Sequence, residues 1–168
     1  TNLPNEDWFI SPSFNLTATT FPLLSFWSRT DFNGQPLQLK VSTDYLGGDP
    51  SLANWTDLNG KFPGQASNVW TESADINLTP FKGENVHFAF VYNSSEDDGA
   101  RWTLDDIQLD DSPTPPPPSL TVSTTDIQYT YVPAGSSSDG TFVFIGNDLT
   151  DEVTVTTRGE FSLSKDGI

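Results

Sequence analysis

The chain has 168 residues, with Lys+Arg 7 against Asp+Glu 23, a formal net charge of −16 and an isoelectric point near 4.1. Such a surface repels phosphate backbones and anionic membranes, which argues against nucleic acid as a partner, and no apolar run reaches the roughly 18–20 residues that span a bilayer. With no Cys and one His, neither disulfides nor thiolate metal sites hold the fold, while 12% aromatics with five Trp predict a packed core over a disordered acidic chain.

In chain order, Thr1 opens directly in a polar stretch without a signal sequence, as expected of a processed piece of a longer protein. Trp8-Phe9-Ile10 is a short apolar run that stops at Ser11-Pro12. Leu23 to Arg29 alternates, so Leu24 and Phe26 face a core while Ser25, Trp27 and Arg29 face away from it. Leu37 to Thr43 alternates likewise, with Leu37, Leu39 and Val41 on one face and Gln38 and Lys40 on the other. Further strands are predicted at Val69-Trp70-Thr71, Val86 to Tyr92 and Trp102 to Leu109, punctuated by turn signals such as Asn33-Gly34, Gly47-Gly48-Asp49-Pro50 and Asp98-Gly99. No segment keeps helical spacing for three turns, so the first part reads as an antiparallel two-sheet β-sandwich.

Ser112-Pro113-Thr114-Pro115-Pro116-Pro117-Pro118 is a semi-rigid extended spacer that cannot enter a sheet interior. It separates a domain over 1–111 from a second β segment over 119–168, with strands predicted at Ser119 to Val122, Ile127 to Val132, Thr141 to Ile145, Val153 to Thr157 and Phe161 to Leu163. About 50 residues is short of the roughly 100 of an immunoglobulin-like sandwich, so the second segment is expected to be truncated.

Trp102-Thr103-Leu104-Asp105-Asp106-Ile107 carries two adjacent carboxylates in a strand, which strict alternation places on opposite faces of the sheet. An inward carboxylate needs a partner: a metal ion, backbone N–H groups or one of the few cations. Calcium takes six to eight hard oxygens. The Asp44-Tyr45-Leu46-Gly47-Gly48-Asp49 loop, where glycines let carbonyls turn inward, offers one candidate set in Asp44 and Asp49. A second kind of site follows from Trp27. An outward Trp beside Arg29, with Gln38 and Lys40 on what reads as the neighbouring strand, has the composition of a sugar-stacking surface.

Taken in order, Asn5-Glu6-Asp7-Trp8-Phe9-Ile10-Ser11-Pro12, Leu24-Ser25-Phe26, Leu39 to Tyr45, Ala53 to Leu58, Val86 to Phe90 and the closing Trp102 to Ile107 resemble the choice-of-anchor J domains of secreted and surface proteins of Bacteroidota. These are jelly-roll modules similar in layout to MAM domains, and the resemblance covers residues 5 to 111. It implies a jelly-roll sandwich and a structural calcium held by Asp7 with Asp105 or Asp106. It also implies an upstream strand absent from Thr1 to Asn5, to be supplied by a partner chain or an N-terminal segment. From Ser119 onward, Leu120-Thr121-Val122, Gly140-Thr141-Phe142, Asn147 to Thr150, Val153-Thr154-Val155 and Phe161 to Ser164 resemble, more loosely, the Ig-like repeat that often follows such modules, here expected as a partial Ig-like domain.

A catalytic centre is hard to assemble from these residues. His87, the only histidine, sits in a strand pattern, and no Gly-x-Ser-x-Gly elbow is present. The sequence therefore points to a non-catalytic extracellular accessory module, secreted or on the cell surface. Such a module binds a glycan or surface protein with calcium support and does not insert into a membrane. The alternatives are a structural spacer or interaction domain in a surface assembly and, more remotely, an acid-pair glycosidase.

Overall fold

A computed structural model describes residues 4–122, 140 and 144–156. Contacts divide the chain into two compact units that meet at Pro117/Pro118.

The first unit is an antiparallel β-sandwich. Its strands are β1 (Asn5–Ile10), β2 (Phe21–Asp31), β3 (Gln38–Ser42), β4 (Thr56–Leu58), β5 (Thr71–Asn77), β6 (His87–Ser94) and β7 (Arg101–Ser112). One sheet runs in the order β1-β6-β3-β4, the other β5-β2-β7. Two short 3-10 turns, Pro50–Leu52 and Thr79–Phe81, sit in the connections, each with proline in its first turn, where no N–H is needed. Ser112, the first residue of the expected spacer, is still in β7 and pairs with Phe21. The strand predicted at Val69–Thr71 begins only at Thr71 and runs on to Asn77.

Alternation builds the core. On β2, Pro22, Leu24, Phe26, Ser28 and Thr30 are buried, and the residues between them face outward. Leu39 and Val41 of β3 and Phe88 and Phe90 of β6 come from the other sheet. Phe26 meets Phe90 edge-on at 4.8 Å between ring centroids, which ties the two sheets together at the middle of the sandwich.

Both neighbours of β2 are bulged at the same level. Between Leu24 and Phe26, β2 advances two residues while β5 advances three, from Ile76 to Ser73. Between Ser25 and Trp27, β2 again advances two while β7 advances three, from Gln108 to Asp105. Each extra residue is accompanied by an Asp in the left-handed region, Asp75 (φ 55°) and Asp106 (φ 47°), a conformation that Asp tolerates better than most residues. The β7 bulge resets the strand's phase. Trp102 and Leu104 pack against the core before it, and Ile107 and Leu109 after it.

This overturns the expectation of one carboxylate per face. Asp105 and Asp106 are both exposed, so neither needs a buried counter-charge. The alternation rule failed because one residue of β7 was spent on the bulge.

In the second unit, β8 (Ser119–Val122) pairs antiparallel with β9 (Phe144–Asn147). Residues 153–156 are exposed and outside any strand, contrary to the strand predicted from Val153; no neighbour pairs with them among the described residues. The strands predicted at 127–132 and 161–163 lie outside the described residues.

Candidate functional site

The outward face of the β5-β2-β7 sheet is built around Trp27. Register places Glu72 of β5 on one side of it and Asp105 of β7 on the other, so all three side chains project from the same row. One row along, Ser25 stands beside Gln108; one row the other way, Arg29 stands beside Thr103. The Arg29 guanidinium lies over the Trp70 ring, 5.1 Å from its centroid, and Trp70 is itself 38% exposed. The result is an aromatic strip, Trp27 then Trp70, edged by carboxylate, amide, hydroxyl and guanidinium groups. Trp27 and Arg29 are where alternation predicted them. Trp70 and Glu72 belong to the strip as well, and the Trp70-Thr71-Glu72 sequence was the available signal.

Gln38 and Lys40 do not join this face. They lie on β3, in the other sheet, and point outward on its far side. Lys40 is paired there with Asp57 of β4 at 2.5 Å. Consecutive strands usually pair, which would set β3 beside β2. Here the turn at 32–37 carries the chain across to the opposite sheet.

That second outer face is covered by its own loop. Trp8, Trp55, Tyr45 and His87 form a chain of ring contacts, with centroids 5.1, 5.4 and 5.1 Å apart in turn. Ala89 and Val91, outward on β6, are buried. His87 is buried with both ring nitrogens engaged: Nδ1 with the Ser11 carbonyl at 2.9 Å and Nε2 with Asn85 Oδ1 at 3.2 Å. It is a packed strand histidine.

The five carboxylates considered for calcium fall in three places: Asp7 on β1, Asp105 and Asp106 on β7, and Asp44 and Asp49 in the β3–β4 connection. Asp44 already accepts from Ser42 Oγ (2.8 Å), Asn54 N (2.9 Å) and Asn54 Nδ2 (2.6 Å). Those bonds, the Asn54 side chain first, hold its carboxyl below the ordinary value. Asp49 caps the 3-10 turn at Pro50–Leu52 by accepting from Ser51 N at 2.9 Å, and its carboxyl is lowered by the same cause. Asp7 accepts from Asn5 Nδ2 at 2.8 Å. Among the described residues no group of three or more His, Cys, Asp or Glu side chains is placed to hold a metal ion. The calcium expectation rests on the resemblance for Asp7, Asp105 and Asp106 and on the loop's acids and glycines for Asp44 and Asp49.

A cleft of about 350 Å³ opens between the edges of the two sheets, lined by Phe9, Leu37, Phe90, Trp102 and Leu104, with Trp8, Asp7 and Tyr92 completing the wall. It contains one carboxylate, so no acid pair faces across it. Glu72 and Asp105 are two strand spacings apart, about 10 Å, with the Trp27 side chain between them.

The fold defines the class: an antiparallel β-sandwich. Among the described residues no helix is long and apolar enough to cross a membrane. A scan of the sequence against protein-family models returns no match, and a search of curated proteins finds no match either.

Proposed function

We propose that the first unit is a non-catalytic carbohydrate-binding module of a secreted or cell-surface protein, and that it holds its ligand on the outer face of the β5-β2-β7 sheet. The observation that carries this reading is the row Glu72–Trp27–Asp105 with Arg29 stacked on Trp70 beside it. A sugar ring offers an apolar face of C–H groups and an equatorial rim of hydroxyls. An indole answers the first, and flanking carboxylates, amides and guanidinium groups answer the second. Strand-borne side chains on a paired central strand are also held more rigidly than loop residues, which lowers the entropic cost of binding.

The carboxylate flanks favour neutral or amino sugars over uronic or sulfated ones, whose charge Glu72 and Asp105 oppose. The non-catalytic reading is supported by His87, the chain's one histidine, whose ring is buried with both nitrogens engaged. Calcium plays no part in this reading. The extracellular setting rests on the resemblance to choice-of-anchor J modules, and the proline spacer after β7 suits a module that positions a larger protein.

A glycan array probed with the wild-type chain and with Trp27→Ala tests it. The reading expects binding to a set of neutral or amino glycans and its loss in the variant. Binding to no glycan, or binding untouched by Trp27→Ala, overturns it in favour of a spacer.

A further inference from the structure

We infer that the Trp27 face holds several consecutive units of an extended, β-1,4-linked glycan chain, laid along β2 from Trp27 toward Phe32, and not an isolated sugar unit. The inference rests on the carbohydrate reading and names the class of ligand that the face takes.

Three observations carry it. First, the face continues beyond Trp70. Asp31, the last outward residue of β2, stands in register with Arg101 of β7, whose guanidinium is ion-paired with the Asp31 carboxylate. The same guanidinium lies over the Phe32 ring, 5.9 Å from its centroid, and Phe32 is 64% exposed. The end of β2 therefore carries two rings, Trp70 and Phe32, each braced by an arginine of this face. A braced ring has less freedom to lose when a sugar stacks on it.

Second, the backbone at Phe32 is strained. Its φ is 66°, in the left-handed region that bulky side chains avoid, at the residue where the chain leaves β2. An aromatic ring so exposed gains little from core packing, and backbone strain of this kind gathers at ligand contacts.

Third, the span selects the ligand. Trp27 and Asp31 are four residues apart, roughly 13 Å at the rise of a strand, and Phe32 follows Asp31. A single pyranose ring is too short to reach both ends. β-1,4-Linked pyranoses, joined through equatorial bonds, form a straight ribbon with C–H faces to lay on rings standing along one sheet. An α-1,4-linked chain curls and would lift away between them. Arg29, midway along, makes no ion pair among the described residues and is left to donate to ring hydroxyls.

The test is calorimetric titration of the whole chain with cello-oligosaccharides and N-acetylated chito-oligosaccharides of two, four and six units, all uncharged, and with maltohexaose as the curled control. At least one β-1,4 series is expected to bind, about tenfold more tightly at six units than at two, the gain of one added stacking contact. Maltohexaose is expected to bind more weakly than the β-1,4 hexamer by at least the same factor. Phe32→Asn removes the ring while Asn tolerates the left-handed backbone. It is expected to bring the hexamer down to the affinity of the dimer and to leave the dimer unchanged. Equal affinity for dimer and hexamer, equal binding of maltohexaose, a hexamer untouched by Phe32→Asn, or binding of neither series each overturns the proposal. The carbohydrate reading is judged apart from it: array binding that Trp27→Ala abolishes upholds that reading whichever way the length series falls.

Discussion

The backbone N–H of Asp106 donates to the side chain of Asp105 (N···Oδ1 2.9 Å), and that local bond accompanies the left-handed turn of Asp106 that lets both carboxylates face solvent. The same turn keeps Trp102, Leu104, Ile107 and Leu109 on the core side of one strand and sets Asp105 beside Trp27.

The bulge should be sensitive to what occupies its left-handed position. Asp106→Val puts a β-branched side chain at φ 47° and is expected to cost about 1–2 kcal/mol in denaturant unfolding. Asp106→Gly, which has no Cβ to clash, is expected to leave stability within about 0.5 kcal/mol or raise it. Equal losses for the two variants would mean that the carboxylate, and not the backbone conformation, is what the site requires.

Gly34 is fixed by close approach. A Cβ there would lie 2.8 Å from the Tyr92 hydroxyl, which accepts from Ala100 N at 2.6 Å. Gly34→Ala must push the end of β6 and the start of β7 apart, and is expected to cost about 1–3 kcal/mol by thermal unfolding. Gly64, with open space around its Cβ position, is the control and should tolerate Ala with little change.

Acid should loosen the β3–β4 connection. The folded Asp44 and Asp49 carboxyls titrate below the ordinary 3.8. On lowering the pH the unfolded chain therefore takes up protons first, and protonation favours unfolding. Their contribution is complete above about pH 4 and is lost as pH falls below 3.8 through the folded values. Trp55, whose Nε1 donates to the Pro50 carbonyl at 3.0 Å within this connection, should report the step by fluorescence. Asp44→Asn should shrink that step; a step of unchanged size would assign it elsewhere.

Local pattern carried much of the fold. Apolar alternation in β2 and β3 placed Leu24, Phe26, Leu39 and Val41 inside and Trp27 and Arg29 outside, because side-chain direction in a strand is a property of the strand itself. What the pattern could not carry was nonlocal. Nothing in Leu37 to Thr43 tells which sheet it enters, so Gln38 and Lys40 were grouped with Trp27 although they stand on the far side of the sandwich. Nor does an Asp-Asp pair announce a bulge, since the extra residue is decided by the neighbouring strand's register. Trp70 was missed for a related reason: it precedes β5 and reaches the strip through its contact with Arg29.

The central claim, that ligand is held on the Trp27 face and not on the face of β3, is tested most directly by calorimetric titration of a glycan selected on the array into Trp27→Ala and Lys40→Ala. Trp27→Ala is expected to lose about 2 kcal/mol of binding, roughly thirtyfold in Kd, while Lys40→Ala binds as the wild type does. Loss of binding in Lys40→Ala with Trp27→Ala unaffected would contradict the account.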